Sequence, residues 1–366
     1  MRSFLKLVTV NPGFDPERAV AAQIDLNWSK YDRADGRGFA RELERRLGAV
    51  PGIHQVAVAN ALPLSGASPN LFRFRIEDRD PAGGEPWPRG DYRSVSPGYF
   101  DAMGIALVRG RTFRAEDYDR GALVVVINES MARRHWPDED PVGQRVWPDD
   151  GEEAWHTVIG VVGDVREYGL AESPTAAMYA NFGHNPHRDF QVVIRSRLDA
   201  ALVEANLREA VRALDPEQPV IYIRTLSDER RDSLAPSRVT LILLGLFAAL
   251  ALAITATGIA ALVGHSVAAR SREIGVRMAL GANRGAVRRM VLGQALRPVV
   301  LGLAAGAVTA LAVTPVLSSW LYGVRAGDPL TFLAGSVLIL TVAAAASALP
   351  ARRATAIDPA LTLRSD

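Results

Sequence analysis

Residues 239–264 read VTLILLGLFAALALAITATGIAALVG, and no charged side chain interrupts them. An α-helix rises about 1.5 Å per residue, so about 20 apolar residues cross the roughly 30 Å hydrocarbon core of a bilayer. The run exceeds that length. It therefore predicts a transmembrane helix at about 239–264, and the rest of the chain is interpreted relative to it.

Two further apolar runs follow in the last third of the chain, and they predict spans at about 291–322 and 330–350. Gly and Ala recur in all three runs, as expected where helices approach closely in lipid. The alternative is that the runs are buried core helices of a large soluble protein, but soluble cores rarely place three such runs so close together. We therefore expect residues 236–366 to form an all-α transmembrane domain of three helices.

The distribution of arginine predicts the orientation of these helices. Arginines are dense between the first two runs and recur after the third, whereas the short loop before the third run holds only Arg325. Because cytoplasmic loops carry the excess of Lys and Arg, residues at about 265–290 and 351–366 are predicted to be cytoplasmic. Residues 1–235, which precede the first run, are then extracytoplasmic.

This orientation raises a question about the start of the chain. A folded domain of this size needs a signal peptide or an upstream span to cross the membrane, and the opening MRSFLKLVTVNPGFDP matches neither pattern. We therefore expect a first transmembrane helix to be missing from this sequence, through truncation or a misassigned start.

The extracytoplasmic part, residues 1–235, has the pattern of an α+β domain. Two strand–helix–strand units are indicated, one early and one late, with apolar residues at helical spacing in each helix: Phe39, Leu43 and Leu47, then Leu202, Leu207, Val211 and Leu214. Two such units can pair into a split β-α-β lobe with its helices on one sheet face. The insert between them, at about 66–187, is strand-rich. Its two short helices are predicted to begin at the capping residues Ser96 and Asn128.

Composition and motifs argue against an enzyme. The net charge of +2 gives no whole-chain signal for nucleic acid, and the absence of Cys excludes disulfides and thiolate chemistry. There is no G-x-x-x-x-G-K-[ST] nucleotide motif, and the sequence around Ser65 lacks the spacing of a nucleophile elbow. His184 and His187 favour a surface loop over a metal site, because Pro186 separates them. Asp138–Asp140 favour a solvated turn over a cation site. We predict no catalytic residues, no metal and no cofactor.

The cationic stretch SREIGVRMALGANRGAVRR, residues 271–289, carries the clearest functional pattern. Over 266–280 a helix would place Val267, Ile274 and Met278 on one face, beside an edge on which Glu273 precedes Arg277 by four residues. Gly281 would end it, and a helix would resume from about Gly285, which leaves a short helix lying along the cytoplasmic membrane surface. One interpretation is plain positive-inside charge with interfacial anchoring. The other is a docking helix, with Ile274 and Met278 exposed for a cytoplasmic partner.

Several stretches resemble the MacB/FtsX-type permeases of ABC transporters. The quoted sequences are SREIGVRMALGANRGAVRRMVLGQAL (271–296), LPARRATAIDPALTLRSD (349–366), SPGYFDAMGI (96–105), VVVINESMARRHWPDEDPVGQRV (124–146) and VIGVVGDVREYGL (158–170). The resemblance covers nearly the whole chain. It implies a porter-like lobe with a sabre-like insert outside the membrane. It also implies four transmembrane helices per unit, one more than this sequence shows. The chain would then be the C-terminal half of a duplicated permease or a copy lacking its first helix.

The resemblance also implies a function in the bacterial inner membrane. Two permeases would pair, as a homo- or heterodimer, and a separate cytoplasmic ABC ATPase would drive motion of the outer domains, with an outer-membrane or periplasmic partner possible. The ATPase-coupling helix would comprise Arg272, Glu273, Ile274, Gly275, Arg277, Met278, Leu280 and Gly281. Two alternatives stay open: a membrane-anchored, non-transport regulator or scaffold of FtsX type, and a non-functional truncated permease.

Overall fold

The computed structural model describes residues 7, 9–66, 70–79, 86–149, 154–270, 273–274, 276–277, 280, 283–317 and 329–354. The chain divides after Pro236 into two compact units. We call Leu5–Pro236 the outer unit, and we call the other unit, which contains Ser237–Asp366, the helical unit. Each is described by itself.

The outer unit is built on one continuous sheet. Its strands are β1 (Ala19–Asp25), β2 (Ile53–Ala59), β3 (Leu71–Ile76), β4 (Arg89–Val95), β5 (Leu107–Gly110), β6 (Val124–Asn128), β7 (Arg145–Pro148), β8 (His156–Val162), β9 (Ala177–Asn181), β10 (Asp189–Ser196) and β11 (Val220–Thr225). Its helices are α1 (Arg33–Gly48), α2 (Tyr99–Met103), α3 (Ala115–Arg120), α4 (Glu129–His135), α5 (Ala200–Leu214) and α6 (Leu226–Ser233).

The described strands follow the order β11-β1-β10-β2-β4-β3-β7-β8-β6-β9, and β9 also pairs in parallel with β4. That extra pairing closes β4, β3, β7, β8, β6 and β9 into a barrel. The four remaining strands of this order form an antiparallel sheet, which we call the first lobe. Closure removes the free edges that an open sheet would leave.

Helices α1 and α5 cover one face of the first lobe. Asp32 caps α1 through its bond to the Asp35 backbone, and the Asp35 side chain returns the bond, so the exposed amides of the first turn have partners. The buried side chains of the helices are Phe39, Leu43, Leu47, Val203, Leu207 and Val211. Burying each such side chain stabilises the lobe by about 1.5–3 kcal/mol. Of the predicted apolar positions, Leu202 is instead half exposed.

The barrel is filled by the side chains that alternate inward along its strands. Phe74 and Ile76 of β3 face inward with Val125 and Ile127 of β6, and Met178 of β9 joins them. This period of two follows from the pleat of a strand, which points successive residues to opposite faces. The residues between them therefore point out of the barrel.

The lobe and the barrel are joined where β2 meets β4, and there the predicted role of Ser96 is wrong. Gly98, not Ser96, is the residue before α2, and it makes no side-chain cap. The Ser96 hydroxyl instead accepts a bond from the Val58 backbone N at 2.9 Å and donates to the Glu44 carboxylate of α1. Asn128, by contrast, caps α4 as predicted, accepting from Met131 N at 2.9 Å.

The helical unit contains α7 (Ala235–Ala269), α8 (Arg284–Leu317) and α9 (Pro329–Ala354). Ile242–Ala269 and Gly285–Ala310 are long and apolar enough to cross a membrane, whereas the apolar part of α9, Leu333–Ala348, is shorter. Within the described residues, two of the three predicted spans therefore meet the length requirement of a bilayer.

Two threonines of α7 bond to their own helix. The hydroxyls of Thr255 and Thr257 donate to the carbonyls of Ala251 and Ala253, so neither hydroxyl is left without an acceptor. Helix α8 begins at Arg284, so the predicted resumption of the helix near Gly285 is confirmed. These residues are the first turns of a long helix that continues to Leu317.

The Glu44–Ser96 contact leads to a prediction about pH. Burial raises the pKa of Glu44 to about 7 from about 4.5, against the opposing effects of Ser96 and Arg41. The folded protein therefore binds more protons than the unfolded one between these values, and its stability falls as pH rises through that window. We expect Glu44→Gln to remove this loss, worth about 3 kcal/mol at 1.36 kcal/mol per pKa unit.

The measurement is thermal unfolding of the detergent-solubilised chain at pH 5 and pH 8. Glu204→Gln is the matched control, because Glu204 pairs with Arg208 on the exposed surface of α5, where ion pairs contribute little. An equal pH response in wild type and Glu44→Gln would contradict the prediction.

Candidate partner-docking segment

The segment between α7 and α8, residues 270–283, is the docking segment predicted from sequence. Helix α7 ends at Ala269 and Arg270 lies in a turn. The Ile274 backbone N donates to the Arg270 carbonyl at 3.0 Å, and the Leu280 N donates to the Val276 carbonyl at 3.0 Å. The described residues of the docking segment therefore have helical hydrogen bonding, separated from α7 by the turn.

The predicted ion pair is confirmed. Arg277 Nη2 lies 2.6 Å from Glu273 Oε1, four residues apart, and both side chains are about half exposed. The Arg277 Nη1 also lies 3.0 Å from the Met290 Sδ of α8. An exposed pair at this spacing contributes about 0.3–0.5 kcal/mol. It orders the edge of the docking segment but cannot by itself hold the segment in place.

Ile274 was predicted to be exposed, and that prediction is wrong. Its side chain is 3% exposed and lines a groove of about 760 Å³ in the helical unit, together with Val267, Met290 and Val291. Helix α7 ends at Ala269, so the predicted helix over 266–280 is divided, but Val267 and Ile274 still lie on one face and line the same groove. Ile274 packs the docking segment toward α7 and α8.

The exposed face of the docking segment is a different stripe. Glu273, Val276, Arg277 and Leu280 are all exposed, and their spacing of three, four and seven residues places them on one side of a helix. Val276 is 43% exposed and Leu280 is 84% exposed. We call these four residues the exposed stripe. It sets two apolar side chains beside an ion pair, which is the chemistry of a helix that docks in a groove.

Of the eight predicted site residues, four lie within the described residues and four lie outside them. Glu273, Arg277 and Leu280 lie together on the exposed stripe, whereas Ile274 is buried. Arg272, Gly275, Met278 and Gly281 lie outside the described residues, so the predictions for them stay predictions. Val276 was missed by sequence reasoning, although its spacing from Glu273 and Leu280 carries the signal.

Helix α8 begins immediately after the docking segment. The Asn283 side chain accepts from the Gly285 N at 3.0 Å, and its carbonyl accepts from the Ala286 N at 2.9 Å. Asn is a favoured residue at the start of a helix because its oxygen satisfies an unpaired first-turn amide. The break predicted at GAN is thus the beginning of a long helix.

The other candidate sites have structural roles. His184 packs its ring 5.2 Å from His156, His187 lies 6.3 Å from the Phe182 ring, and burial lowers the pKa of His187. Asp138–Asp140 form an exposed turn, as predicted. Among the described residues, no group of three or more His, Asp or Glu side chains could hold a metal ion.

Comparison with known proteins gives two family matches. A model of the MacB-like periplasmic core domain matches residues 7–235, and a model of the FtsX-like permease C-terminal region matches residues 245–359. The macrolide export ATP-binding/permease protein MacB of Neisseria gonorrhoeae is 26% identical over 349 residues, covering 90% of this chain and 51% of that protein. The chain thus spans about half the length of the MacB relatives it matches.

Two further similarities complete the comparison. The uncharacterized ABC transporter permease YknZ of Bacillus subtilis is 25% identical over 288 residues, which cover 74% of this chain and 68% of YknZ. Among solved structures, the periplasmic region of MacB from Actinobacillus actinomycetemcomitans aligns at 16% identity with a TM-score of 0.43. The alignment covers 62% of this chain and 97% of that one.

The two faces of the docking segment should respond differently to truncation. We expect Ile274→Ala to speed amide hydrogen exchange in residues 270–290 by about tenfold or more, because removing a buried Ile side chain costs about 2–5 kcal/mol. Val276→Ala is the matched control and should leave the exchange unchanged, since Val276 is already solvated. Equal acceleration in both variants, measured by mass spectrometry in detergent, would show that Ile274 is no anchor.

Proposed function

Since the chain belongs to the family of MacB-like periplasmic core domains and carries an FtsX-like permease region, we propose that it is the permease subunit of an ABC-type exporter or mechanotransmission complex. In this proposal it lies in the bacterial inner membrane, with residues 1–235 on the outer side and the docking segment and C-terminal tail in the cytoplasm. The docking segment contacts a cytoplasmic ABC ATPase.

One observation supports the contact most directly: the docking segment has two faces with separate roles. Ile274 packs against the helices of its own unit, while Val276 and Leu280 present exposed apolar area. Exposed large apolar side chains next to a charged edge are typical of a surface that a partner covers. A partner groove that accepts Leu280 would remove the most exposed of these side chains from water.

The assignment of ATP binding to a partner rests on sequence and on the relatives. The 366 residues contain no G-x-x-x-x-G-K-[ST] motif, whose backbone amides and Lys would hold the phosphates. The MacB relatives are named ATP-binding/permease proteins, and this chain matches about half of their length, including the permease region. The proposal therefore places ATP binding outside these 366 residues, on the ATPase that the docking segment contacts.

Coupling requires that ATP binding favour one arrangement of the permease over another. A ligand shifts such an equilibrium only by its difference in affinity for the two states. In this proposal the ATPase binds the exposed stripe more tightly in one arrangement, and the packing of Ile274 passes this preference to α7 and α8. Helix α7 begins at Ala235, directly after α6 of the outer unit ends at Ser233. The chain therefore connects the docking segment to the outer unit through one uninterrupted helix.

The proposal includes pairing with a second permease, identical or different, as the family arrangement implies. A membrane-anchored, non-transport regulator of FtsX type is the second candidate, and it would use the same docking segment. The two differ in what the outer unit does, since a regulator controls an outer partner and an exporter moves a substrate.

The exposed stripe can be tested with a double variant. We expect Val276→Asp with Leu280→Asp to weaken co-purification of the ABC ATPase that binds the wild-type chain by about tenfold or more, because apolar hot-spot residues contribute about 2 kcal/mol or more each. Stimulation of ATP hydrolysis should fall in parallel. The physical cause is the cost of burying two carboxylates in an apolar groove.

The matched control is Leu202→Asp, which makes the same type of substitution, with one carboxylate, at an exposed apolar residue of α5 in the outer unit. It should leave ATPase binding unchanged. If the double variant bound the ATPase as tightly as wild type, or if the wild-type chain recruited no ABC ATPase, the proposed contact would be lost.

A further inference from the structure

The outer wall of the barrel carries a small pocket between β3 and β7. Its volume is about 190 Å³, and its lining comprises Arg73, Phe74, Arg75, Trp87, Trp147 and Asp149. A backbone bond from the Asp149 N to the Arg73 carbonyl at 2.8 Å continues the pairing of the two strands and fixes the pocket floor. All six residues belong to the outer unit, so the pocket is independent of the docking segment.

The guanidinium of Arg75 lies over two indole rings. Its Cζ lies 4.9 Å from the ring centroid of Trp87 and 4.6 Å from that of Trp147. Two such contacts restrict the orientation of the guanidinium, and contact with ring faces leaves its N–H groups available for hydrogen bonds. The side chain has thus already lost the rotamer freedom that binding would otherwise remove.

Neither Arg73 nor Arg75 is ion-paired with a carboxylate in the described part of the chain, and this separates them from their neighbours. Arg145, which stacks over Trp155, is bound to Glu77 at 2.7 Å, and Arg79 is bound to Glu139. Arg145 and Arg79 each contact a Trp and a carboxylate, so a structural role is sufficient for both. Among the described residues that line the pocket, Arg73 and Arg75 carry two positive charges and Asp149 carries one negative charge, so the lining has an excess of one positive charge.

We propose that this pocket binds an anionic monosaccharide, a sugar ring that bears a carboxylate or a phosphate. The planar fork of an arginine binds either anion with two parallel hydrogen bonds, and Arg73 and Arg75 supply two such groups. The apolar face of the ring packs on the exposed indole surface. The Asp149 carboxylate accepts hydrogen bonds from ring hydroxyls.

The size of the pocket supports this class of ligand over larger ones. A volume of about 190 Å³ corresponds to roughly six waters at about 30 Å³ each. It is below the roughly 300–1,000 Å³ of pockets that enclose drug-sized molecules. The volume suits one sugar ring, either as a free molecule or as the terminal unit of a longer glycan.

The experiment uses the full chain in detergent micelles, with titration calorimetry and tryptophan fluorescence as readouts. The probes are glucuronate, glucose 6-phosphate, glucose and inorganic phosphate. We expect at least one of the two sugar anions to bind and to change the indole fluorescence. Arg75→Gln should weaken that binding about tenfold or more, because it removes a charge-assisted bidentate contact. Arg79→Gln, an ion-paired arginine over Trp136, is the matched control and should bind like wild type.

Each outcome decides the proposal. Binding of a sugar anion that depends on Arg75 but not on Arg79 supports it, and a longer glycan that competes identifies the polymeric source. If glucose binds as tightly as the sugar anions, the anionic group does not contribute to recognition. If inorganic phosphate binds as tightly as the sugar anions, the sugar ring does not contribute. Either result contradicts the proposal. No binding at about 10 mM overturns the proposal. Arg73→Gln, which leaves the indole stack intact, gives the same test if Arg75→Gln fails to fold by circular dichroism.

Discussion

A buried arginine on the strand shared by the lobe and the barrel is the interaction on which the outer unit depends. Arg93 of β4 is 2% exposed, and its guanidinium lies 3.0 Å from Asp91 and 3.2 Å from Glu167. Burial acts to lower the pKa of Arg93, but Glu167 and Asp91 raise it overall, so the group stays charged. Removing one partner of a buried pair costs about 3–5 kcal/mol.

The position of this cluster explains why it matters. Strand β4 pairs with β2 of the first lobe at one residue pair only, Ala59 with Val95, while its remaining pairings with β3 and β9 close the barrel. Burial raises the pKa of Glu167, with Arg93 opposing, and the Tyr179 hydroxyl of β9 donates to the Glu167 carboxylate at 3.3 Å. The cluster thus ties β4 to its barrel neighbour on the side away from the barrel interior.

Barrel closure also determines where the sugar-sized pocket can lie. Because Phe74 and Ile76 fill the interior, Arg73 and Arg75 must point outward from the same strand. A slip of one residue in the β3–β7 register would bury both arginines and expose the two apolar side chains, so the packed interior fixes the pocket's chemistry. The pocket follows from the fold, although nothing in the first lobe contributes a residue to it.

The parts of this structure that could be predicted from sequence are those governed by local pattern. The apolar run at 239–264, the Asn128 cap and the Glu273–Arg277 pair each depend on residues a few positions apart, and local periodicity or capping chemistry determines them. The parallel pairing of β4 with β9 joins residues more than eighty positions apart, and no periodicity encodes it. The bond from Ser96 to Glu44 is equally non-local, so a residue with the pattern of a helix cap serves another element.

The docking segment shows that a local pattern can identify an apolar face without showing whether that face is buried. Its residues are amphipathic, as the sequence indicates, and Val267 and Ile274 share a face, but that face lines a groove of the helical unit, so Ile274 is buried and Val276 is exposed. Transmission of force across such a segment needs rigidity, and the exposed ion pair supplies only about 0.3–0.5 kcal/mol. Burial of Ile274 contributes several times more. In the proposed contact the inner face would set the stiffness of the segment and the outer face its affinity for the partner, so the two properties could change independently by substitution.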